Sequence, residues 1–161
     1  MAEQKALAEL RHIRKVFNAG TVSEMEVFHD FSLTIHEGEF ISVVGSNGSG
    51  KTTTLNLLCG SLMPDSGQIL LHGKDITKLS EYKRSAYIGR VFQDPAKGTC
   101  PSMTILENMS LADNKGKPFG FGGGVNRKKT DYYKSQLELL HLGLEDKFDL
   151  PVGVLSGGQR Q

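Results

Sequence analysis

Residues 45–52 read Gly-Ser-Asn-Gly-Ser-Gly-Lys-Thr, a loop of the form GxxxxGK[ST] set between an apolar run and a segment of helical spacing. No other feature constrains the fold as much, because strand, glycine loop and helix in that order build an α/β layer whose loop holds a polyphosphate. Gly45, Gly48 and Gly50 permit backbone turns forbidden to bulkier residues. The N–H groups around Ser46, Asn47 and Ser49 can therefore converge on phosphate oxygens. A helix opening near Lys51 adds uncovered N–H donors and the positive end of its dipole, worth about 0.3–1 kcal/mol at an exposed site. The Lys51 ammonium is predicted to reach the β and γ phosphates, the Thr52 hydroxyl to ligate Mg2+, and Thr53 to lie near the α phosphate.

The flanking pattern predicts the rest of the layer. Residues 7–17 mix apolar and polar side chains as a strand does, and residues 31–36 alternate strictly, as in a half-buried strand. Residues 40–44, Phe-Ile-Ser-Val-Val, read as a buried strand of a parallel sheet ended by Gly45. Leu55, Leu58 and Leu62 give residues 51–62 helical spacing, closed by Gly60 and the turn chemistry of residues 64–67. Two further strands are predicted at residues 68–72 and 86–92, the second with a bulge at Gly89. Thr104 and Glu107 have the spacing of a capping box, which predicts a helix from Thr104 to about Ala112. Residues 114–129, rich in Gly and Lys, read as a mobile surface loop. Tyr133, Leu137 and Leu140 predict a helix over residues 131–141, stopped by Gly143.

A chain of 161 residues suits one domain with a real core. Its 19 Lys plus Arg against 18 Asp plus Glu create no global field of the kind that marks a nucleic-acid binder. Cys59 and Cys100 form no CxxC pair, and His12, His29, His36, His72 and His141 are scattered without the spacing of metal ligands. Cys59 reads as a small hydrophobe on the helix after the loop, Glu107 as a helix cap, Asp94 as the start of a loop and residues 127–129 as a solvated charge run. No window is apolar enough for a membrane span.

The loop alone is shared by GTPases, kinases and helicases, and other residues select the branch. Residues 155–161, Leu-Ser-Gly-Gly-Gln-Arg-Gln, are identical to the signature of ABC ATPases, and Gln93 follows predicted strand 86–92 where that family's Q-loop glutamine belongs. Residues 101–108 resemble the stretch after the Q-loop, and Phe17 sits where an aromatic residue stacks on adenine. The chain thus resembles the front part of an ABC-type nucleotide-binding domain, most like ATP-binding subunits of bacterial importers that work with periplasmic substrate-binding proteins. The resemblance implies an α/β P-loop NTPase fold with an N-terminal antiparallel β part, a partial parallel-sheet core and a helical subdomain, the C-terminal portion missing. Residues 1–93 would form the β part and P-loop core, and residues 94–161 the helical subdomain ending in the signature.

The resemblance also implies ATP and Mg2+ as cofactors, with Lys51 and Gln93 in catalytic roles and Thr52 and Gln93 around the metal. Ser156, Gly157, Gly158 and Gln159 would meet nucleotide held by the loop of a second subunit in a head-to-tail dimer. Ser156, Gly157 and Gly158 opening a helix agree with that role, since a hydroxyl and free N–H groups make a second anion site. Transmembrane permease subunits would be the further partners, with the chain peripheral on the cytoplasmic face of the membrane. The family's Walker B aspartate, the glutamate base after it and the switch histidine are not among the 161 residues. Binding is therefore expected to outlast hydrolysis, and unpaired strand edges with exposed apolar side chains are expected to leave the isolated chain poorly stable. A non-hydrolysing nucleotide-binding or dimerisation module is the alternative. ABC ATPases of DNA repair or translation carry coiled-coil insertions or twin domains, and neither occurs here.

Overall fold

The computed structural model describes residues 5–115, 117 and 123–160. The chain divides into two compact units, Met1–Ile88 and Gly89–Gln161.

The first unit is built on an antiparallel sheet of order β2-β1-β3-β4. Its strands are β1 (Ala6–Phe17), β2 (Met25–His36), β3 (Ser66–Leu71) and β4 (Lys74–Asp75). The long strands β1 and β2 pair with Leu10 opposite Leu33 and Ile13 opposite Phe31, and β1 sets Leu10 against Ile69 of β3. Leu10 and Ile13 are three residues apart, and an irregularity of β1 between them, where His12 turns left-handed, brings both to the face that holds Phe28 and Ile69, where helix α1 (Lys51–Cys59) lays Leu57 on them. Leu57, Ile13 and Ile69 are fully buried. Helix α1 ends at Gly60, whose left-handed backbone lets its N–H reach the Asn56 carbonyl, so the helix stops short of the predicted Leu62. Helix α2 (Glu81–Arg84) closes the unit.

Two predicted strands are absent. Residues 40–44 make no ladder, and Phe40 and Val44 are 98% and 86% exposed. An apolar, β-branched run becomes a strand only where a neighbour takes its N–H and C=O groups, and no described strand lies beside this one. Exposure of its side chains was expected; loss of the strand itself was not. Residues 86–92 fail likewise: the N–H groups of Tyr87 and Ile88 turn back to the Arg84 carbonyl, and with no ladder there is no bulge at Gly89. Among the described residues the sheet is antiparallel throughout.

The second unit packs helices α3 (Ile105–Asp113) and α4 (Thr130–Glu138) against the chain that follows them. Ile105, Leu106, Tyr133, Leu137, Leu144, Phe148 and Val152 form its core. The Thr104 hydroxyl accepts the Glu107 N–H while the Glu107 carboxylate accepts the Thr104 N–H, which completes the predicted capping box. Two more first-turn amides of α3, from Ile105 and Leu106, donate to the carbonyls of Leu150 and Phe148. Helix α4 ends at Glu138, ahead of the predicted Gly143 stop: Leu140 and His141 close tighter turns on Leu137 and Glu138, and His141 itself turns left-handed. Of the predicted loop over residues 114–129, residues 116 and 118–122 lie outside the described residues, and its end at Arg127–Lys129 forms a 3-10 turn instead of loop. Its stem is tied by Asp113, which accepts from Lys129 at 2.9 Å and lies 3.5 Å from Lys117. A final short helix, α5 (Gly157–Arg160), contains most of the signature.

Candidate nucleotide site

The phosphate loop enters α1 through Gly50, which is buried, left-handed at φ +89° and flanked by the Phe28 ring. A Cβ placed on Gly50 would fall 2.7 Å from Phe28 Cζ and 3.1 Å from Val27 Cγ1. Strand β2 therefore dictates that the loop turn into the helix without a side chain. No side chain caps the N-terminus of α1, and no acidic residue occupies its first turn. The first amides of a helix have no intrahelical acceptor, so they face outward as a ready anion site. The Gly50 carbonyl is engaged, accepting both the amide and the hydroxyl of buried Thr54.

Lys51 completes the cradle. Its ammonium donates to the carbonyl oxygens of Gly45 at 2.7 Å and Ser46 at 2.6 Å, curling back over the loop. Two neutral acceptors hold this cation in an exposed setting, where phosphate oxygens carrying formal charge would bind it more strongly. Ser46, Asn47, Gly48 and Ser49 are exposed, as is Thr52, and Thr53 is half-buried. The loop, its lysine and the uncovered helix end suit a polyphosphate on three independent grounds: donors, charge and access.

Phe17 ends β1 half-buried, with the Lys15 ammonium 5.7 Å from its ring centroid, within reach of a cation–π contact. Lys15 also pairs with Asp65 at 2.8 Å, and that hydrogen bond, followed by one from the Val16 N–H, holds the Asp65 carboxyl below the usual carboxylate range. Residues 45–53 lie in the first unit, and Gln93 and the signature in the second. Gln93 is exposed. Ser156 donates through its amide and its hydroxyl to the Gln159 side-chain oxygen, each at 3.2 Å, and accepts the Gln159 N–H at 3.4 Å. These are the reciprocal bonds of a capping box. Around Gly157 and Gly158 an added Cβ would meet nothing within 4 Å, so packing among the described residues does not require glycine at either position.

Nothing in the residue pattern points to Arg84. This side chain is 1% exposed and donates to the carbonyls of Leu57, Leu58, Thr77 and Leu79. Apart from the Met63 sulfur at 3.8 Å its acceptors are main-chain oxygens, which every residue type carries, so no residue pattern marks the position.

A family model described as ABC transporter matches residues 28–161. The chain belongs to the ABC transporter family. A tyrosine transport ATP-binding protein of Clostridioides difficile (strain R20291) is 44% identical over 155 residues, covering 96% of this chain and 61% of its own length. A spermidine/putrescine import ATP-binding protein of Haemophilus influenzae is 38% identical over 161 residues, 99% of this chain and 38% of its own length. The ABC chain thus spans less than two thirds of either relative. A cassette solved as a dimer in a post-hydrolysis state with ADP and Pi matches with a TM-score of 0.76 at 27% identity, over 95% of this chain and 65% of that one. Among the described residues of this ABC chain no helix is long and apolar enough to cross a membrane.

Proposed function

We propose that residues 45–53 bind MgATP and that, within a whole ABC subunit, this binding and the hydrolysis that follows power solute transport across a membrane. The observation that carries the reading is the uncapped N-terminus of α1 with the Lys51 ammonium held over the loop by carbonyls alone. In this reading Lys51 grips the β and γ phosphates, Thr53 lies by the α phosphate, and Phe17 stacks on adenine. Thr52 and Gln93 are assigned to Mg2+, which supplies charge neutralisation between the phosphates. Gln93 also orients the attacking water. Turnover further requires the aspartate and base glutamate that the family places after the signature helix.

Ser156, Gly157, Gly158 and Gln159 are assigned to nucleotide held by a second copy in a head-to-tail dimer. The open space at Gly157 and Gly158 supports this, because glycine that internal packing does not need suits a backbone another molecule must approach closely. The dimeric cassette with ADP and Pi supports the same assembly. Relatives named for tyrosine transport and for spermidine/putrescine import favour an import system. Its further partners are transmembrane permease subunits and a periplasmic substrate-binding protein, and its location is the cytoplasmic face of the membrane.

Calorimetric titration of MgATP into the wild-type protein and Lys51→Ala tests the site. Loss of a charge-assisted contact worth about 1.5–3 kcal/mol predicts affinity lower by about 10- to 150-fold. Equal affinity in the two proteins would reject the assignment.

A further inference from the structure

We propose that Arg84 is the positioning residue of the phosphate helix: its guanidinium anchors the C-terminal end of α1 and neutralises that end, and this sets the affinity for a triphosphate. The inference rests on reading residues 45–53 as a nucleotide site. A guanidinium that is 1% exposed is costly unless every donor finds a partner. Arg84 pairs with carbonyls instead of a carboxylate. Nη1 donates to Leu57 O at 2.6 Å and Leu58 O at 3.0 Å, Nη2 to Thr77 O at 2.8 Å, and Nε to Leu79 O at 2.9 Å. The Leu57 and Leu58 carbonyls belong to the last turn of α1, where helical acceptors have no intrahelical donor and the dipole is negative. A cation thus satisfies one end of the helix as an anion would satisfy the other.

The second half of the fork grips the chain after β4. Thr77 is itself fixed there, its hydroxyl accepting the Ile69 N–H of β3 at 2.8 Å. Arg84 therefore ties α1 to the sheet through main-chain carbonyls and the Thr77 hydroxyl. Gly60 leaves the seat free: a Cβ there would lie 2.8 Å from Arg84 Nε and 2.9 Å from Cδ. The front of the helix has little comparable support. Residues 40–49 are exposed, and Gly50 is seated close to Phe28 and Val27 at the loop end. With nine residues α1 is about 14 Å long, so an error at the Arg84 end reaches the phosphate amides nearly undamped. Misplacement of about 1 Å is enough to weaken a positioned site heavily. Arg84 touches no phosphate; it acts through the helix.

The test compares MgATP and AMP affinities of the wild type, Arg84→Lys and Arg84→Met by calorimetry, with far-UV dichroism to establish folding. Arg84→Lys keeps a charge but loses the fork, and Arg84→Met removes both. MgATP affinity is expected to fall about tenfold in Arg84→Lys and further in Arg84→Met, with AMP affinity changing less than about twofold. Unchanged MgATP affinity in a folded Arg84→Lys protein, or an equal loss for both nucleotides, would overturn the proposal. The wild type supplies a measurement independent of the variants: the Arg84 Nε–H resonance should shift when MgATP saturates the protein, and a fixed resonance would also overturn it. Wild-type protein that binds no MgATP would instead refute the nucleotide reading itself, and this inference with it.

Discussion

Replacing Gly50 with alanine separates two costs that the structure assigns to one residue. The backbone is left-handed at φ +89°, a conformation that costs an L-residue with a Cβ about 1–2 kcal/mol. The new methyl would also sit 2.7 Å from Cζ and 2.8 Å from Cε1 of Phe28, and 3.1 Å from Val27 Cγ1. Phe28 cannot swing aside freely, because it is 9% exposed and stacked on Phe31 with ring centroids 4.5 Å apart. Overpacking of that kind adds about 1–3 kcal/mol, so Gly50→Ala should lose about 2–5 kcal/mol, a large share of a typical domain's stability. Gly48→Ala is the control, since Gly48 is left-handed at φ +84° with nothing within 4 Å of an added Cβ. It should lose about 1–2 kcal/mol from the backbone alone. Urea unfolding of both variants, and of Gly50→Ala combined with Phe28→Ala, measures the difference. Relief of about 1–3 kcal/mol in the double variant is expected, as the coupling of two groups in contact. Equal losses at the two glycines with no coupling to Phe28 would refute the packing argument.

Two further perturbations probe parts of the fold away from the loop. The Asp65 carboxyl is held below its ordinary range by Lys15 and then by the Val16 N–H, so its contribution is full above the unfolded value near 3.9 and vanishes as pH falls through the folded one. Asp65→Asn should therefore destabilise the protein at neutral pH, by about 1 kcal/mol or less given the exposure of the pair, and flatten the acid limb of stability against pH. An NMR titration that places Asp65 at an ordinary midpoint would contradict this. At α3, Thr104→Ala should cost about 1 kcal/mol of stability against denaturant, whereas Thr104→Ser should cost little because a hydroxyl remains to accept the Glu107 N–H. Indistinguishable losses in the two variants would show that the cap contributes nothing.

The features that could be read from the sequence are those whose partners lie nearby or whose residue types are restricted. The phosphate loop needs glycine at positions where no other residue fits, and Gly50 meets that need twice, through φ and through Phe28. Thr104 and Glu107 are three residues apart, so their capping box follows from spacing alone. The Ser156–Gln159 pair has the same spacing and forms the same reciprocal bonds, so its cap too is legible from spacing. Residues 40–44 show the opposite case. Their composition suits a strand, but a strand is a property of two segments, and a single run cannot state whether its neighbour is present.

Arg84 marks a deeper limit, and it also explains how the loop can be both exposed and shaped. Its acceptors at Leu57 and Leu58 stand 27 and 26 residues away in the chain and are main-chain oxygens, so substituting those leucines would leave the acceptors in place. Such a contact restricts residue type at Arg84 and at Gly60, which must not crowd it, while the carbonyl side places no restriction on side chains. The phosphate helix is consequently fixed from behind and beneath, by Arg84 and by fully buried Leu57, and seated at its first turn by Gly50 against Phe28 and Val27, while the exposed loop ahead of it carries the Lys51 ammonium on two carbonyls. Donors that are uncovered but already aimed require little rearrangement when an anion arrives, which is the condition under which main-chain amides bind phosphate well. A loop stabilised from its own front would have to break those contacts first. Support from the rear thus leaves the binding face open without leaving it shapeless.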